Sequence, residues 1–134
     1  MLGKEIGHEV GQQTGVRVLQ DPNHGTIMEV SFSAEGTLAG IHAEDAGTYE
    51  SWLETDGSIR GRGQGITMGE GNEMASWEAT GVGERADDGS VRFRGSLYYR
   101  SMTPTFSQLN GKCCIYEYNV DAGRKTEATL HLWE

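Results

Sequence analysis

Glycine takes alternate positions in the stretch Ile59-Arg-Gly-Arg-Gly-Gln-Gly-Ile-Thr67. Gly61, Gly63 and Gly65 fall on one side of an extended chain, and Arg60, Arg62 and Gln64 on the other. A period of two is that of a β-strand and excludes a helix. Two arginines and a glutamine belong in water, so the glycine side, with Ile59 and Thr67, is read as the inner one. Two further extended runs follow, Glu73–Glu84 and Ser90–Arg100. A three-residue turn at 70–72 sets Gly65 opposite Trp77, Gly63 opposite Ala79 and Gly61 opposite Gly81. A turn across 84–90 sets Gly81 opposite Phe93, Ala79 opposite Gly95, Trp77 opposite Leu97 and Ala75 opposite Tyr99. Small faces large across the sheet, which is how a small barrel bends or fills its wall.

The rest of the chain supplies strands of the same kind. Residues 1–14 carry little pattern and are expected to form an N-terminal arm. The barrel domain is then 15–134. Val16–Leu19 reads as a short first strand. In Thr26–Ala34, Met28, Val30 and Phe32 alternate with Glu29, Ser31 and Ser33. Glu35-Gly36 is expected to turn the chain, bringing Ala39 opposite Phe32 and Ile41 opposite Val30. Glu44–Gly47 reads as the next break, and Thr48–Glu54 as another strand. Asp56-Gly57 is a hairpin signal. Lys112–Val120 and Thr126–Trp133 close the chain, after a long break at 102–111 that holds at most one helical turn. Eight or nine short strands at regular spacing, with little helix, predict an all-β, antiparallel up-and-down barrel.

Charge and composition narrow the partners. Formal net charge is −9, with 20 acidic and 11 basic residues in 134. That argues against nucleic acid or an anionic membrane surface as a partner. No apolar run approaches the ~18 residues of a spanning helix, and the first residues lack a signal-peptide pattern. The cytoplasm is the default expectation. Cys113 and Cys114 are adjacent and point to opposite faces of a strand, so both are expected as reduced thiols.

Chemical motifs are sparse. His8, His24, His42 and His131 are scattered without metal-ligand spacing, so neither a metal nor another cofactor is expected. Gly61-x-Gly-x-Gly65 lies inside a strand and precedes no helix, so it is no dinucleotide loop. The expected interior is apolar and aromatic: Met28, Val30, Phe32, Ala39, Ile41, Trp77, Phe93, Leu97, Tyr99, Tyr116, Tyr118 and Leu130. With the thin wall at Gly61, Gly63 and Gly65, it could enclose one apolar molecule. Phe32, Ile41, Trp77, Phe93, Leu97, Tyr99, Tyr116 and Tyr118 are its candidate contacts. Glu50 faces this lumen if the turn at Asp56-Gly57 has two residues, and Tyr49 does if it has three. Glu50, Tyr99 and Tyr116 are the candidate acids or polar anchors. Glu73 and Tyr99 are expected near one mouth of the barrel.

Several stretches resemble a group of small, largely uncharacterised prokaryotic proteins. They are Gly15–Leu19, Gly61–Gly65, Glu73–Trp77, Gly81–Gly83, Asp88–Leu97, Leu109–Gly111 and Leu132–Glu134. The organisation is also similar to calycin and allene oxide cyclase-like barrels. That likeness implies a lipophilic ligand, or cyclisation of a bound unsaturated chain, and brings no catalytic motif with it. Three readings follow: a barrel that binds a small hydrophobic molecule, a cyclase or isomerase acting on a lipophilic substrate, and a packed barrel that associates as a homo-oligomer.

Overall fold

In a computed structural model that describes residues 2–134, the chain forms one closed antiparallel barrel. Eight strands follow each other round it in chain order. They are β1 (Leu2–Asp21), β2 (Gly25–Leu38), β3 (Ile41–Leu53), β4 (Ile59–Gly69), β5 (Glu73–Arg85), β6 (Val91–Ser101), β7 (Cys114–Val120) and β8 (Lys125–Trp133). β1 pairs with both β2 and β8, so no edge is left open. Among the described residues, single 3-10 turns at Glu70–Asn72 and Phe106–Leu109 are the helical content. No described helix is long and apolar enough to cross a membrane.

The β4–β5 register is the expected one, with Gly65 beside Trp77, Gly63 beside Ala79 and Gly61 beside Gly81. Across β5–β6 the faces are as expected but the rungs are shifted by two. Trp77 pairs with Tyr99, Ala79 with Leu97, Gly81 with Gly95 and Gly83 with Phe93. The cause is the loop. Ala86 and Ser90 close a tight three-residue connection, with Gly89 at φ 90°. Asp88 accepts from the Ser90 amide and hydroxyl at 2.9 and 2.6 Å. The loop at 54–58 repeats this design with Asp56, Gly57 and Ser58. Its three residues settle the face of β3: Tyr49 points inward and Glu50 outward.

The N-terminal half departs further from expectation. Residues 2–14 are no arm but most of the longest strand. Gly7–Gln12 lie between β2 and β8 and bond to both. Irregular rungs near Leu2–Gly7 and at Gln13/Gly15 bend β1 enough to close the barrel. Glu35-Gly36 does not turn. Gly36 lies against the His8 carbonyl, where a Cβ has no room. Glycine serves close approach there. The turn comes at Ala39-Gly40, both with positive φ. It pairs Phe32 with Gly47 and Val30 with Tyr49. Ala39 is thus a turn residue, Ile41 starts β3 beside it, and Met28 is 45% exposed at the last rung β2 shares with β3. The supposed break at 44–47 is the middle of β3.

Two apolar clusters fill the barrel's ends. The larger gathers Leu38, Ala75, Leu97, Phe106, Leu109 and Cys114 under the 3-10 turn. Glu73 seats that turn, accepting from Thr103 Oγ1 at 2.7 Å and from the Thr105 and Phe106 amides at 3.0 and 2.8 Å. Burial opposes its charge, but these bonds outweigh burial and hold the carboxyl below its usual range. Glu73 is therefore a structural anchor of the turn. The smaller cluster holds Phe93, Tyr118, Val120 and Ala128. Both cysteines are free: Cys114 is buried, and Cys113 lies partly exposed beside the Tyr98 hydroxyl.

Candidate functional site

Most of the space left by the inner glycines is taken by rings. A Cβ on Gly47 would meet the Trp77 ring at 2.7 Å and Phe32 at 2.9 Å, and one on Gly83 would meet Phe93 at 2.8 Å. Gly65 is covered by Trp77, and Gly81 by the Tyr116 hydroxyl. These glycines let large rings lie flat against the wall. Phe32, Tyr49, Phe93 and Tyr118 pack as a group, with ring centroids 5.5–6.3 Å apart.

A cavity of about 70 Å³ remains between the two clusters. One water needs at least about 10–15 Å³, so the cavity has room for a few water-sized groups. Gly61, Gly63 and Ala79 form its thin side. Of the residues expected to line the lumen, Phe32, Trp77, Phe93, Leu97, Tyr99, Tyr116 and Tyr118 also border it. Gly65 lies behind Trp77 and Ile41 packs at the larger cluster, so neither reaches it. Larger depressions on the barrel's outside, such as that beside Val10, Ile66, Met68 and Lys125, are shallow and open.

Two carboxyls at the cavity were not expected. Glu9 comes from β1, in the stretch read as an arm. Asp45 comes from β3, in the stretch read as a break. Glu9 pairs in register with Gly36 and Ala128, and Asp45 with Ala34 and Thr67, which turns both side chains inward. The two carboxyls lie close enough that each perturbs the other. Asp45, 9% exposed, also accepts from Trp77 Nε1 at 2.8 Å, from Thr67 Oγ1 at 3.2 Å and from the Ala46 amide. Three donors favour charge on Asp45. Glu9 has none of them. Burial, then the charge of Asp45, pushes its carboxyl up to about 9. Asp45 too is raised by burial, its hydrogen bonds opposing the shift. The pair therefore holds a proton at neutral pH, with Glu9 the donor. A carboxyl inside a strand would have been the signal: Glu9 falls on the same alternation as Gly7 and Gly11.

Tyrosines complete the polar part of the wall. Gln13 Nε2 donates to the Tyr49 hydroxyl at 3.2 Å. The Tyr118 hydroxyl is buried without a partner in bonding geometry, although the Tyr49 hydroxyl is near enough to perturb it. Burial raises the phenols of Tyr49, Tyr99 and Tyr118 and pushes Tyr116 up to about 12, so all four are uncharged donors at neutral pH. Tyr99 and Tyr116, two of the candidate acids or polar anchors, border the cavity. Glu50 is not. It faces outward and accepts from Arg62 Nε at 2.9 Å, while Arg62 lies over the Trp52 ring. Among the described residues, no group of His, Cys, Asp and Glu is arranged to hold a metal ion.

No family model and no curated protein sequence matches the chain. Solved structures do. A conserved protein of unknown function from Rhodopseudomonas palustris aligns over 98% of this chain and 97% of its own, with TM-score 0.81 and 11% identity. A β-barrel-like protein from Acinetobacter baumannii aligns over 100% and 96%, with TM-score 0.83 and 9% identity. A protein of unknown function from Clostridium acetobutylicum aligns over 98% of each chain, with TM-score 0.81 and 10% identity. Two of these carry no stated function and the third is described by its barrel alone. The likeness to calycin and allene oxide cyclase-like barrels expected from sequence is not shown by these structures. At such identities the comparison bears on the fold alone: this chain is an eight-stranded barrel similar to uncharacterised bacterial barrel proteins over nearly its whole length.

Proposed function

We propose that the barrel binds a compact, largely apolar molecule in its lumen, with one polar group turned toward Glu9 and Asp45. The observation that carries this reading is the cavity itself. It combines aromatic walls, a thin glycine and alanine side, and a few convergent polar groups, the usual make-up of a small-molecule site. Its volume favours a ligand the size of one small ring. A long unsaturated chain would have to displace the packed aromatic group. Calorimetric titration with cyclopentanol, a probe of that size, tests the reading, using wild type and Ala79→Leu, which adds three carbons to the cavity wall. Affinity is expected to fall at least about tenfold, or ~1.4 kcal/mol. Unchanged affinity in a folded variant would show that the probe binds elsewhere.

The second reading is an isomerase or cyclase. It is favoured by the proton on Glu9, since a carboxyl kept neutral by burial is a general acid at physiological pH. Glu9 takes the place first given to Glu50, with Tyr99 and Tyr116 beside the reacting group.

A further inference from the structure

We propose that the lumen ligand is a small organic cation, a protonated amine, whose charge is received by the paired carboxyls of Glu9 and Asp45 and by the unpartnered hydroxyl of Tyr118. The proposal rests on the reading of the lumen as a binding site and names the ligand's class. Three independent features support it.

The first is charge. Among the described residues, Arg62 is the one basic residue beside the cavity, and its guanidinium is engaged on the outer surface by Glu50 and Asp21. The groups near Glu9 are Asp45 and Tyr49 on β3, Tyr99 on β6 and Tyr118 on β7, all acids or neutral phenols. A carboxylate or phosphate ligand would meet acid there. A cation would meet its complement. The chain's net charge of −9 draws the same kind of ligand from a distance.

The second is Tyr118. It is 8% exposed, borders the cavity, and its hydroxyl meets no partner in bonding geometry, the nearby Tyr49 hydroxyl included. Buried hydroxyls are normally satisfied, so an orphan beside a cavity marks where a ligand's donor belongs. An ammonium N–H would supply it.

The third is the wall. Phe32, Tyr49, Phe93 and Tyr118 turn rings toward one another around the cavity, and ring faces attract a desolvated cation.

Binding should then move a proton. A cation beside Glu9 favours its ionised form, so Glu9 releases its proton to buffer as the ammonium enters. The ligand's own proton stays on its nitrogen and no bond to carbon changes.

Calorimetric titration of the whole chain at pH 7 with cyclopentylamine, cyclopentanol and cyclopentane tests this. The amine is expected to bind at least about tenfold tighter than the alcohol. Its heat should change with buffer ionisation enthalpy, reporting proton release, while the alcohol's does not. Glu9→Gln keeps the shape, and should weaken the amine at least about tenfold, abolish proton release and spare the alcohol. Tyr118→Phe, which loses only the orphan hydroxyl, should also weaken the amine, and serves if Glu9→Gln does not fold. Equal binding of alcohol and amine would sink the cation site and leave lumen binding intact. No binding by any probe would remove both. Amine affinity unchanged in either folded variant would overturn the proposal.

Discussion

The β4–β6 wall and the β1–β3 wall enclose one lumen by different means. In β4–β6 the inner positions are mostly glycine, alanine or large apolar side chains, with one acid, Glu73, at the end of β5 where it seats the 3-10 turn, and alternation holds along each strand. In β1–β3 the inner positions include Glu9 and Asp45, and β1 is bulged. One wall is built for packing. The other gives up apolar burial to hold two acids and a proton in place. A barrel can carry a polar pair inside when neighbouring strands bring donors to it. Trp77, from the packing wall, is the residue that joins the two.

The largest effect should come from filling the packing wall. Gly65→Val places a side chain into the Trp77 ring and 2.6 Å from the Ala46 carbonyl. It should cost about 3 kcal/mol in a urea melt, the upper end for overpacking. Gly15→Ala, on β1 with nothing within 4 Å of the added carbon, should change stability by less than about 0.5 kcal/mol. If both behave alike, the two walls do not differ in packing.

Trp77→Phe probes the link between the walls. It keeps a ring but removes the 2.8 Å donor to Asp45. A loss of about 2 kcal/mol is expected, because a buried acceptor loses a partner. Deuterium exchange should show the opening centred on β3.

The acid pair makes stability depend on pH. Unfolded, Glu9 releases its proton near 4.5; folded, it keeps it to about 9. Its contribution is full below the lower value and is lost as pH rises toward the upper one. The melting temperature should therefore rise on going from pH 8 to pH 5.5, and Glu9→Gln should flatten that slope. Asp56, Asp88 and Glu73 act in the opposite sense. Their folded values are lowered, so what they add is present above their unfolded values and lost in more acid solution, below about pH 4. A melting temperature lower at pH 5.5 than at pH 8 would contradict a proton held by Glu9 and Asp45.

The smallest effect belongs to the outer acid. Glu50→Gln breaks a pair with Arg62, which is 47% exposed, and should cost about 0.5 kcal/mol or less. The pH slope should remain as in wild type. Glu9 and Glu50 thus contrast one residue type on the two sides of the same barrel wall.

The strand type of Ile59–Thr67, its inner face and its pairing with Trp77 follow from the sequence, because glycine alternating with arginine admits one orientation in water. The barrel class follows from regular strand spacing and the lack of helical periodicity. The shift of two rungs at β5–β6 and the length of β1 do not follow. Loop closure at 86–90 and contact with strands distant in the chain decide them. Gly36 and Asp45 look like turn residues because glycine and aspartate usually are. Here Gly36 admits the His8 carbonyl, and Asp45 is held by Thr67 and Trp77. The same limit applies to Glu9. Whether a carboxyl is solvated or buried with its proton depends on what the fold places beside it. That neighbour lies 36 residues along the chain, on a strand that β2 separates from β1.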